Sequence, residues 1–568
     1  MTPAGDASPG PVARVVPDVT GLDKQFDYVV PEGLRAHVRV GSLVRMDLHG
    51  RRVGGWVVSM GDVDPTVGRL VPLARFSSIG PAAEVVDLTE WAAQRWGAPR
   101  VRPFLVVASP PTMVPSLPAQ RRSARAASPA GVAARGVTVT APLTDPLPLL
   151  VEQAAHGPMI VVHPSPAAAR AIASRLQRTG LSVALMPDAW AAAAAGVDVV
   201  VGGRSAVWAP CPGLTSVVVL DEHDEALQDE RTPTWHARDV AIERCRRAAA
   251  ACLLVSPCPT LAATEWAGES ISMTSGEWPR IVMVDRSGDE PWRRSLLTSE
   301  LIAHLRVPGR RVVCVVNAPG RARLLACRKC RALQRCEICD ASVTQSDDGA
   351  LTCPRCATAR PQVCQLCGAT AMAVVRPGVT RLREELEAAA NRPVGAVTGA
   401  TEDLPACEVL VGTEAVLHRV RGADVVAFPD FDAELLAPRY RAAEQAMALL
   451  VRAGRLVGRP SLGGELLVQT FVPDHPVLRA AALGDVADLR AGEAARRRLL
   501  GLPPFRALGL VSGAGAMEFA AASGLETARR GDDVLVRADG WLDLGAALAS
   551  TARPRRSRLR VEVDPPRV

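Results

Sequence analysis

The chain of 568 residues is too long for a single hydrophobic core, and we expect three to five domains. With 48% hydrophobic residues and a net charge of +7, it has the composition of a globular protein, and this charge supports nucleic-acid binding only weakly. The first residues do not form a secretory signal, and no apolar stretch is long enough to cross a bilayer. We therefore predict a cytoplasmic protein without membrane partners.

Residues 1–110 favour a mostly β domain. Short runs of alternating apolar residues at 41–46 and 53–58 flank Gly50, as expected for strands joined by a turn. Residues 111–136 are then rich in Pro, Ala, Ser and Arg, a composition that predicts a flexible linker.

The next part of the chain, residues 137–295, alternates apolar strands with helical stretches. Strands are predicted at 159–162, 199–201, 216–220 and 252–255, with an Ala-rich helix at 166–177. Alternating strands and helices predict a parallel, doubly wound α/β sheet. The same pattern returns in residues 296–325 and 373–480, so we expect a second lobe that is interrupted by an insertion at 326–372.

The insertion contains eight of the fourteen cysteines, all in Cys-x-x-Cys pairs. Each pair places two thiolates on one side of a tight turn, and two such turns complete a tetrahedral zinc site. Because the all-cysteine ligand sets leave no position for water, we predict two structural zinc ions rather than catalytic ones. The eight predicted ligands are Cys327, Cys330, Cys336, Cys339, Cys353, Cys356, Cys364 and Cys367.

The spacing also favours one way of pairing these cysteines. Thirteen residues separate the inner pairs, which is nearly the spacing of a zinc ribbon, so the inner four would share one ion and the outer four the other. Sequential pairing of neighbouring turns remains the alternative. The six other cysteines have apolar neighbours and are expected in the core.

Several short motifs follow one another in the order found in a known family. They are Phe26-Asp27-Tyr28, Gly203-Arg204-Ser205-Ala206, Asp221-Glu222-His223-Asp224, Trp235-His236-Ala237-Arg238-Asp239, the cysteine pairs, Gly412-Thr413, Asp430-Phe431-Asp432, Gln469-Thr470 and Gly501-Leu502-Pro503-Pro504. The chain thus resembles the PriA family, primosomal proteins that restart bacterial replication forks. The resemblance implies two RecA-like helicase lobes with an inserted two-zinc module of four-cysteine sites, an N-terminal DNA-binding domain and a small α+β C-terminal domain at 481–568.

The ATP site of such a helicase departs from the family pattern. The only lysines are Lys24 and Lys329, so no Gly-Lys-Ser/Thr phosphate loop exists, and residues 140–147 carry prolines where that loop is expected. Leu220 stands where the family has its Mg²⁺-binding aspartate, and Asp221, one residue further along a strand, would point to the other face.

Other nucleotide-site residues are similarly altered. Asp221, Glu222 and His223 remain from the acidic motif, and Arg455 and Arg459 stand in a blurred arginine motif, where each is either a relic arginine finger or a surface or phosphate-contacting residue. We therefore predict no ATPase or helicase activity, and ATP and Mg²⁺ are not expected as cofactors. An ATP-driven 3′-to-5′ helicase with a displaced nucleotide site is the alternative.

The resemblance also assigns roles in the N-terminal domain. Phe26 would stack on the terminal base of a nascent leading strand, Asp27 would accept a hydrogen bond from its 3′ hydroxyl, and Gly50 would allow close approach. The structural alternative places Phe26 and Tyr28 in the core, with Asp27 capping a turn.

These features predict a monomeric, non-catalytic protein that binds branched and forked DNA. Single-stranded DNA-binding protein and other primosome and helicase-loading proteins would be its partners. Arginines near the C-terminus, from Arg496 to Arg498 and from Arg553 to Arg560, suit phosphate contacts or a solvated basic face. A zinc-ribbon interaction protein without a DNA role is the third hypothesis.

Overall fold

The structure is a computed structural model that describes residues 11–22, 24–61, 70–121, 135–274, 276–289, 296–316, 324–345, 349–375, 379–397, 401, 403–554 and 559–568. Among these residues, no helix combines the length and the apolar character needed to cross a membrane. Short 3-10 helices lie at Glu32–Leu34, Arg204–Trp208, Glu225–Leu227 and Pro460–Leu462.

The N-terminal domain is an antiparallel sheet with strand order β2-β1-β4-β3-β5. Its strands are β1 (Val12–Pro17), β2 (Phe26–Val29), β3 (Leu43–Leu48), β4 (Arg51–Gly61) and β5 (Arg75–Ser78), followed by α1 (Ala83–Arg95) and α2 (Arg102–Ala108). Residues 71–74 close the sheet, because Val29 exchanges backbone hydrogen bonds with Val71 and Leu73, while Ala74 donates to Arg45. We call this closed sheet, residues 12–78, the N-terminal barrel.

Residues 111–121 differ from the predicted flexible linker, because they are held against the fold. Val114 is buried and bonds through its backbone to Ser78 and Ile79. The Arg121 amide donates to the Gly196 carbonyl at 3.0 Å. Proline-rich composition does not reveal such local backbone pairing. Residues 122–134, with Arg122 and Arg125, lie outside the described residues.

The first lobe is a parallel sheet of order β12-β6-β11-β10-β7-β9-β8. Helix α4 starts at a favourable cap, since the Ser165 hydroxyl accepts from the Ala168 amide and Pro166 occupies the first turn. The elements are β6 (Arg135–Val139), α3 (Leu147–Ala154), β7 (Met159–Val162), α4 (Pro166–Arg178), β8 (Val183–Leu185), α5 (Trp190–Ala195), β9 (Val199–Gly202), β10 (Ser216–Leu220), α6 (Ala237–Ala248), β11 (Ala251–Ser256), α7 (Leu261–Ala267) and β12 (Ile271–Met273).

The second lobe is a parallel sheet of order β13-β23-β22-β14-β21-β20, interrupted by the cysteine insertion. It begins with β13 (Arg280–Asp285), α8 (Ser299–Leu305) and β14 (Val312–Val315). The insertion contributes β15 (Leu324–Cys327), β16 (Thr344–Gln345), β17 (Leu351–Thr352), β18 (Ala359–Arg360) and β19 (Met372–Val375). The lobe resumes with α9 (Val379–Ala390), β20 (Val394–Val397), β21 (Val409–Gly412), α10 (Ala415–Arg419), β22 (Val425–Phe428), α11 (Asp432–Leu435), α12 (Ala442–Val457) and β23 (Glu465–Thr470).

Strand β13 corrects the predicted boundary between the lobes. Residues 280–285 were expected in the first lobe, which was predicted to end at 295, but β13 pairs in parallel with β23 of the second lobe. The chain therefore passes from one lobe to the other between Met273 and Arg280. A buried parallel strand has the same apolar pattern in either sheet, so the sequence did not reveal which one it joins.

Two helices and an antiparallel sheet follow the second lobe. They are α13 (Pro476–Leu483), α14 (Ala487–Leu499), β24 (Ala507–Ser512), α15 (Ala516–Ala522), β25 (Glu526–Arg530), β26 (Asp533–Ala538), α16 (Trp541–Ser550) and β27 (Arg560–Val563). The sheet has the order β25-β26-β24-β27. These parts confirm the predicted fold class of two α/β lobes, an inserted cysteine module, a mostly β N-terminal domain and a small α+β C-terminal domain.

The domains are packed together through a shared core. One cluster of buried side chains includes residues of α1, of both lobes and of the C-terminal sheet. Gly545 of α16 lies so close to α1 that a Cβ atom there would come 1.9 Å from the Gln94 carbonyl oxygen. The neighbouring Arg95 guanidinium lies over the Trp541 ring and donates to Asp239 of the first lobe at 2.8 Å. This packing joins the N-terminal domain to the rest of the molecule.

Candidate functional site: the cysteine module, the inter-lobe cleft and the N-terminal barrel

Each Cys-x-x-Cys pair forms the same tight turn. In every turn the amide four residues after the first cysteine donates to that cysteine's carbonyl, at 2.9 to 3.0 Å. The donors, Arg331, Asp340, Ala357 and Gly368, all have a positive φ between 57° and 71°. This left-handed residue directs the chain back, so that both thiols of a turn lie on one side.

The structure brings the cysteines together as two groups of four, in the nested arrangement. Cys327, Cys330, Cys364 and Cys367 form one group, and Cys336, Cys339, Cys353 and Cys356 form the other, with the sulfurs of each group within 4.8 Å of one another. Sulfur pairs such as Cys330 and Cys364, or Cys339 and Cys353, are 3.4 Å apart. That is too far for a disulfide and close to the roughly 3.8 Å edge of a tetrahedron with Zn–S bonds of about 2.3 Å. Both groups therefore fit a zinc ion.

The module is fixed to the second lobe by backbone contacts. The Ser342 amide donates to the Leu436 carbonyl at 2.7 Å. Arg355, inside one cysteine turn, donates to Cys339 and to the Ala437 carbonyl. These contacts orient the turn that contains Cys353 and Cys356 against the segment after α11.

In the cleft between the lobes, an arginine of α12 binds the acidic motif directly. The Arg455 guanidinium donates two hydrogen bonds to the Asp221 carboxylate, at 2.5 and 2.6 Å. Its Nε also donates to the Pro142 carbonyl at 2.9 Å, in the segment where the family resemblance places a phosphate-binding loop. Although 36% of its side chain remains exposed, Arg455 contacts the first lobe at both Asp221 and Pro142. It connects the two lobes.

Asp221 faces this cleft because the chain leaves the strand at this residue, whereas the sequence prediction assumed that the strand continued. Strand β10 ends at Leu220, and Asp221 has a φ of +51°, so the alternation of strand side chains no longer applies. Leu220 lies in the core on the other side of the sheet. Burial would raise the pKa of Asp221, but the charge and hydrogen bonds of Arg455 outweigh burial and hold that pKa well below its usual value.

The other predicted residues of the nucleotide site lie in separate contacts. Glu222 is fully buried and accepts from Arg238 at 2.9 Å and from the Thr260 hydroxyl at 2.6 Å. His223 is hydrogen-bonded to the Ser256 hydroxyl at 2.8 Å. Arg459 is exposed and, within the described residues, does not reach the acidic motif. Among these residues, Asp221 and Arg455 are joined by direct hydrogen bonds.

Further contacts between the lobes surround this pair. Arg452, one turn before Arg455, donates to Asp224 of the first lobe at 2.7 Å and to Glu414 of the second at 2.6 Å. Glu444 accepts from the Leu261 amide across the cleft at 2.7 Å. The sequence offered no signal for Glu444, while Arg452 lies three residues before Arg455 in the same arginine-rich stretch.

In the N-terminal barrel, the predicted DNA-contacting residues lie on β2 and on the turn between β3 and β4. Asp27 forms a two-point ion pair with Arg14 of β1, at 2.9 and 3.1 Å, and does not cap a turn. Phe26 is partly buried against the barrel core, and Tyr28 is within it. The Tyr28 hydroxyl donates to the Asp47 carbonyl, and the Asp47 carboxylate accepts from the Gly50 amide at 3.0 Å. Through Asp47, Tyr28 of β2 is thus connected to the Gly50 turn.

Comparison with known proteins agrees with this arrangement. Residues 14–107 match the family model of the 3′DNA-binding domain (3′BD) of PriA. Over 562 residues the chain is 28% identical to the probable replication restart protein PriA of Mycobacterium tuberculosis (strain H37Rv), covering 86% of this chain and 84% of that protein. The chain is thus similar to the PriA replication restart proteins over most of its length. The resemblance found in the sequence motifs is thereby confirmed.

The length of the match varies among PriA relatives. The replication restart protein PriA of Bacillus subtilis is 28% identical over 347 residues, which cover 56% of this chain and 43% of that protein. The chain therefore spans less than half of this relative. Among solved structures, the Escherichia coli DExH-box NTPase HrpB matches with 15% identity and a TM-score of 0.32, over 61% of this chain and 40% of that one.

Proposed function

We propose that the protein recognises stalled or abandoned replication forks, binds branched DNA and helps to reload the replicative helicase, without hydrolysing ATP. The observation that carries this proposal is the match of residues 14–107 to a 3′DNA-binding domain, together with PriA relatives over most of the chain. The protein would act as a monomer in the cytoplasm. Its partners would be forked DNA, single-stranded DNA-binding protein, and primosome and helicase-loading proteins.

The N-terminal barrel would read the 3′ end of the leading strand. Phe26 is partly buried, so its ring keeps a free part on which a terminal base can stack. The Asp27 carboxylate, held by Arg14, would accept a hydrogen bond from the 3′ hydroxyl. Gly50 lies in an exposed turn with a φ of +77° and no side chain, which allows the strand to approach.

The lobes would serve as a frame and not as a motor. Nucleotide hydrolysis needs a lysine on the phosphates and an aspartate on Mg²⁺. Here residues 140–147 lack glycine and lysine, and the Asp221 carboxylate is already bound at both oxygens by Arg455. A metal-bound triphosphate would have to displace this ion pair.

Two zinc ions would hold the cysteine module in shape, one in each group of four cysteines. The thiol sets, their spacing and their burial fit structural zinc, which would cross-link the turns. The module's own residues would then present a surface to a helicase-loading partner.

A fork-binding series tests the recognition of the 3′ end. We expect a 3′-phosphate on the leading strand to weaken binding about tenfold or more, because it removes the hydroxyl donor and places an anion beside Asp27. A 5′-phosphate should have little effect. Fluorescence anisotropy with labelled forks measures both.

Two variants complete this test. Phe26→Ala should remove most of the difference between 3′-hydroxyl and 3′-phosphate forks, whereas Phe76→Ala, which changes another partly buried ring of the same core, should preserve it. Equal weakening by 3′- and 5′-phosphates in the natural protein would refute end recognition.

A further inference from the structure

Two arginines of the N-terminal barrel stand directly opposite one another on neighbouring strands. The register of β3 and β5 pairs Arg45 with Arg75, and both side chains are exposed. Like charges at such positions destabilise a sheet. Among the described residues neither arginine has a carboxylate partner. Elsewhere in the chain, arginines such as Arg175, Arg238 and Arg455 are tied to acidic groups.

The position beside Arg45 on β4 is Gly54, which the fold does not require to be glycine. Its φ is not positive, and a Cβ atom placed there would meet only the Asp18 Cβ, at 3.9 Å. The adjacent Gly55 differs, because a Cβ there would come 2.6 Å from Val15. A glycine inside a strand weakens it and often marks a place where a ligand approaches closely. The missing side chain leaves this face of the sheet open.

The open face also forms a groove, whose charged lining residues are Arg45 and Asp18. A cavity of about 250 Å³ lies here, lined by Arg45, Gly54, Leu43, Trp56 and Met113 among others.

The nearby carboxylates already have hydrogen-bond partners, which are Arg102 for Asp18 and the Gly50 amide for Asp47. Asp18 is bound to Arg102 at 2.6 Å, and the register sets Asp47 opposite Arg52. Arg51, next to the Gly50 turn, adds a further exposed positive charge without a partner among the described residues.

From this arrangement we propose that the outer face of the N-terminal barrel, formed by Arg45, Arg75 and Gly54, binds the sugar-phosphate backbone of the DNA. The two guanidinium groups bind successive phosphates, which removes their mutual repulsion, and Gly54 gives the backbone room to lie against β4. The inference rests on the proposed fork binding. It adds a phosphate contact whose strength depends neither on the base sequence nor on the chemical group at the strand end.

The salt dependence of fork binding tests this contact. Each phosphate that a protein neutralises adds about 0.7 to 0.9 to the slope of log affinity against log salt concentration. The double variant Arg45→Ala/Arg75→Ala should therefore lower that slope by roughly 1.4 to 1.8. It should weaken 3′-hydroxyl and 3′-phosphate forks by the same factor. Arg170→Ala/Arg178→Ala, which removes two exposed arginines of α4, should leave the slope unchanged.

A change at Gly54 separates DNA contact from stability. Gly54→Val introduces a strand-favouring residue into free space, so its melting temperature should be equal to or above that of the natural protein. Fork binding should nevertheless fall at least severalfold. An unchanged slope in the double arginine variant, an equal drop in the α4 control, or full binding by a folded Gly54→Val protein would each overturn the proposal. If the natural protein binds 3′-hydroxyl and 3′-phosphate forks equally well, only the proposed recognition of the 3′ end is contradicted.

Discussion

At the scale of single residues, the Asp221 and Arg455 pair determines how the two lobes meet. The Asp221 side chain is 9% exposed and that of Arg455 36%, so the pair lies at the edge of the cleft. Because the pKa of Asp221 is depressed in the folded state, the stabilisation from the pair is complete at neutral pH. It is lost only in acid, as the pH falls through that lowered pKa.

Removing one member of this pair should destabilise the folded protein more than removing both. Arg455→Met leaves the Asp221 carboxylate buried without its arginine partner. We expect the free energy of unfolding to fall by roughly 2 kcal/mol. This is less than the roughly 3 to 5 kcal/mol lost when a fully buried pair is broken, because Arg455 is partly exposed. The double variant Asp221→Asn/Arg455→Met should recover part of this loss. Urea denaturation followed by circular dichroism measures all three proteins. A double variant that is less stable than Arg455→Met alone would contradict the pairing.

The sequence located these residues but not their relation. The missing lysine and the shifted aspartate could be recognised in the sequence, because they depend only on residue type and order. The ion pair was not, because Asp221 leaves the strand in a left-handed conformation and its partner lies 234 positions further along the chain. Alternation rules apply only while the strand continues.

At the scale of elements, the cysteine turns were the most predictable feature. The cysteines themselves indicated the metal ligands, and their spacing favoured the nested grouping. The structure shows this nested grouping. The left-handed residue after each pair was harder to foresee, since Arg331, Asp340 and Ala357 are not glycines. The short strands between the turns, with only two residues each in β16, β17 and β18, carry too little pattern to predict.

Zinc counting in double variants distinguishes the nested grouping from the sequential one. Cys327→Ser/Cys336→Ser damages both sites if the grouping is nested, and should leave close to no zinc per chain after dialysis against a chelator. Cys327→Ser/Cys364→Ser damages a single nested site and should retain about one zinc. Sequential pairing requires the reverse pattern. Mass spectrometry of the metal content, with protein concentration from absorbance, gives the ratio.

At the scale of the whole molecule, the lobes form one body around a shared core. Buried residues of both lobes belong to the same cluster, and contacts from Arg452, Glu444 and Arg455 cross the cleft. A motor must open and close such a cleft with nucleotide. Here protein side chains already bind one another across the cleft, which supports the proposal that the lobes act as a frame.

The sequence predicted the two lobes, the insertion and the barrel strands β3 and β4, because each has a strong local pattern. It did not predict that β13 joins the second sheet or that residues 71–74 close the barrel. Both depend on pairing between distant segments, for which a local pattern carries no information.

DNA-stimulated ATP hydrolysis by the purified chain tests whether the lobes act as a frame or as a motor. We predict no phosphate release above background on forked DNA, together with fork affinity that is the same with and without ATP. A robust rate of hydrolysis that is abolished by Asp221→Asn or Glu222→Gln would contradict it.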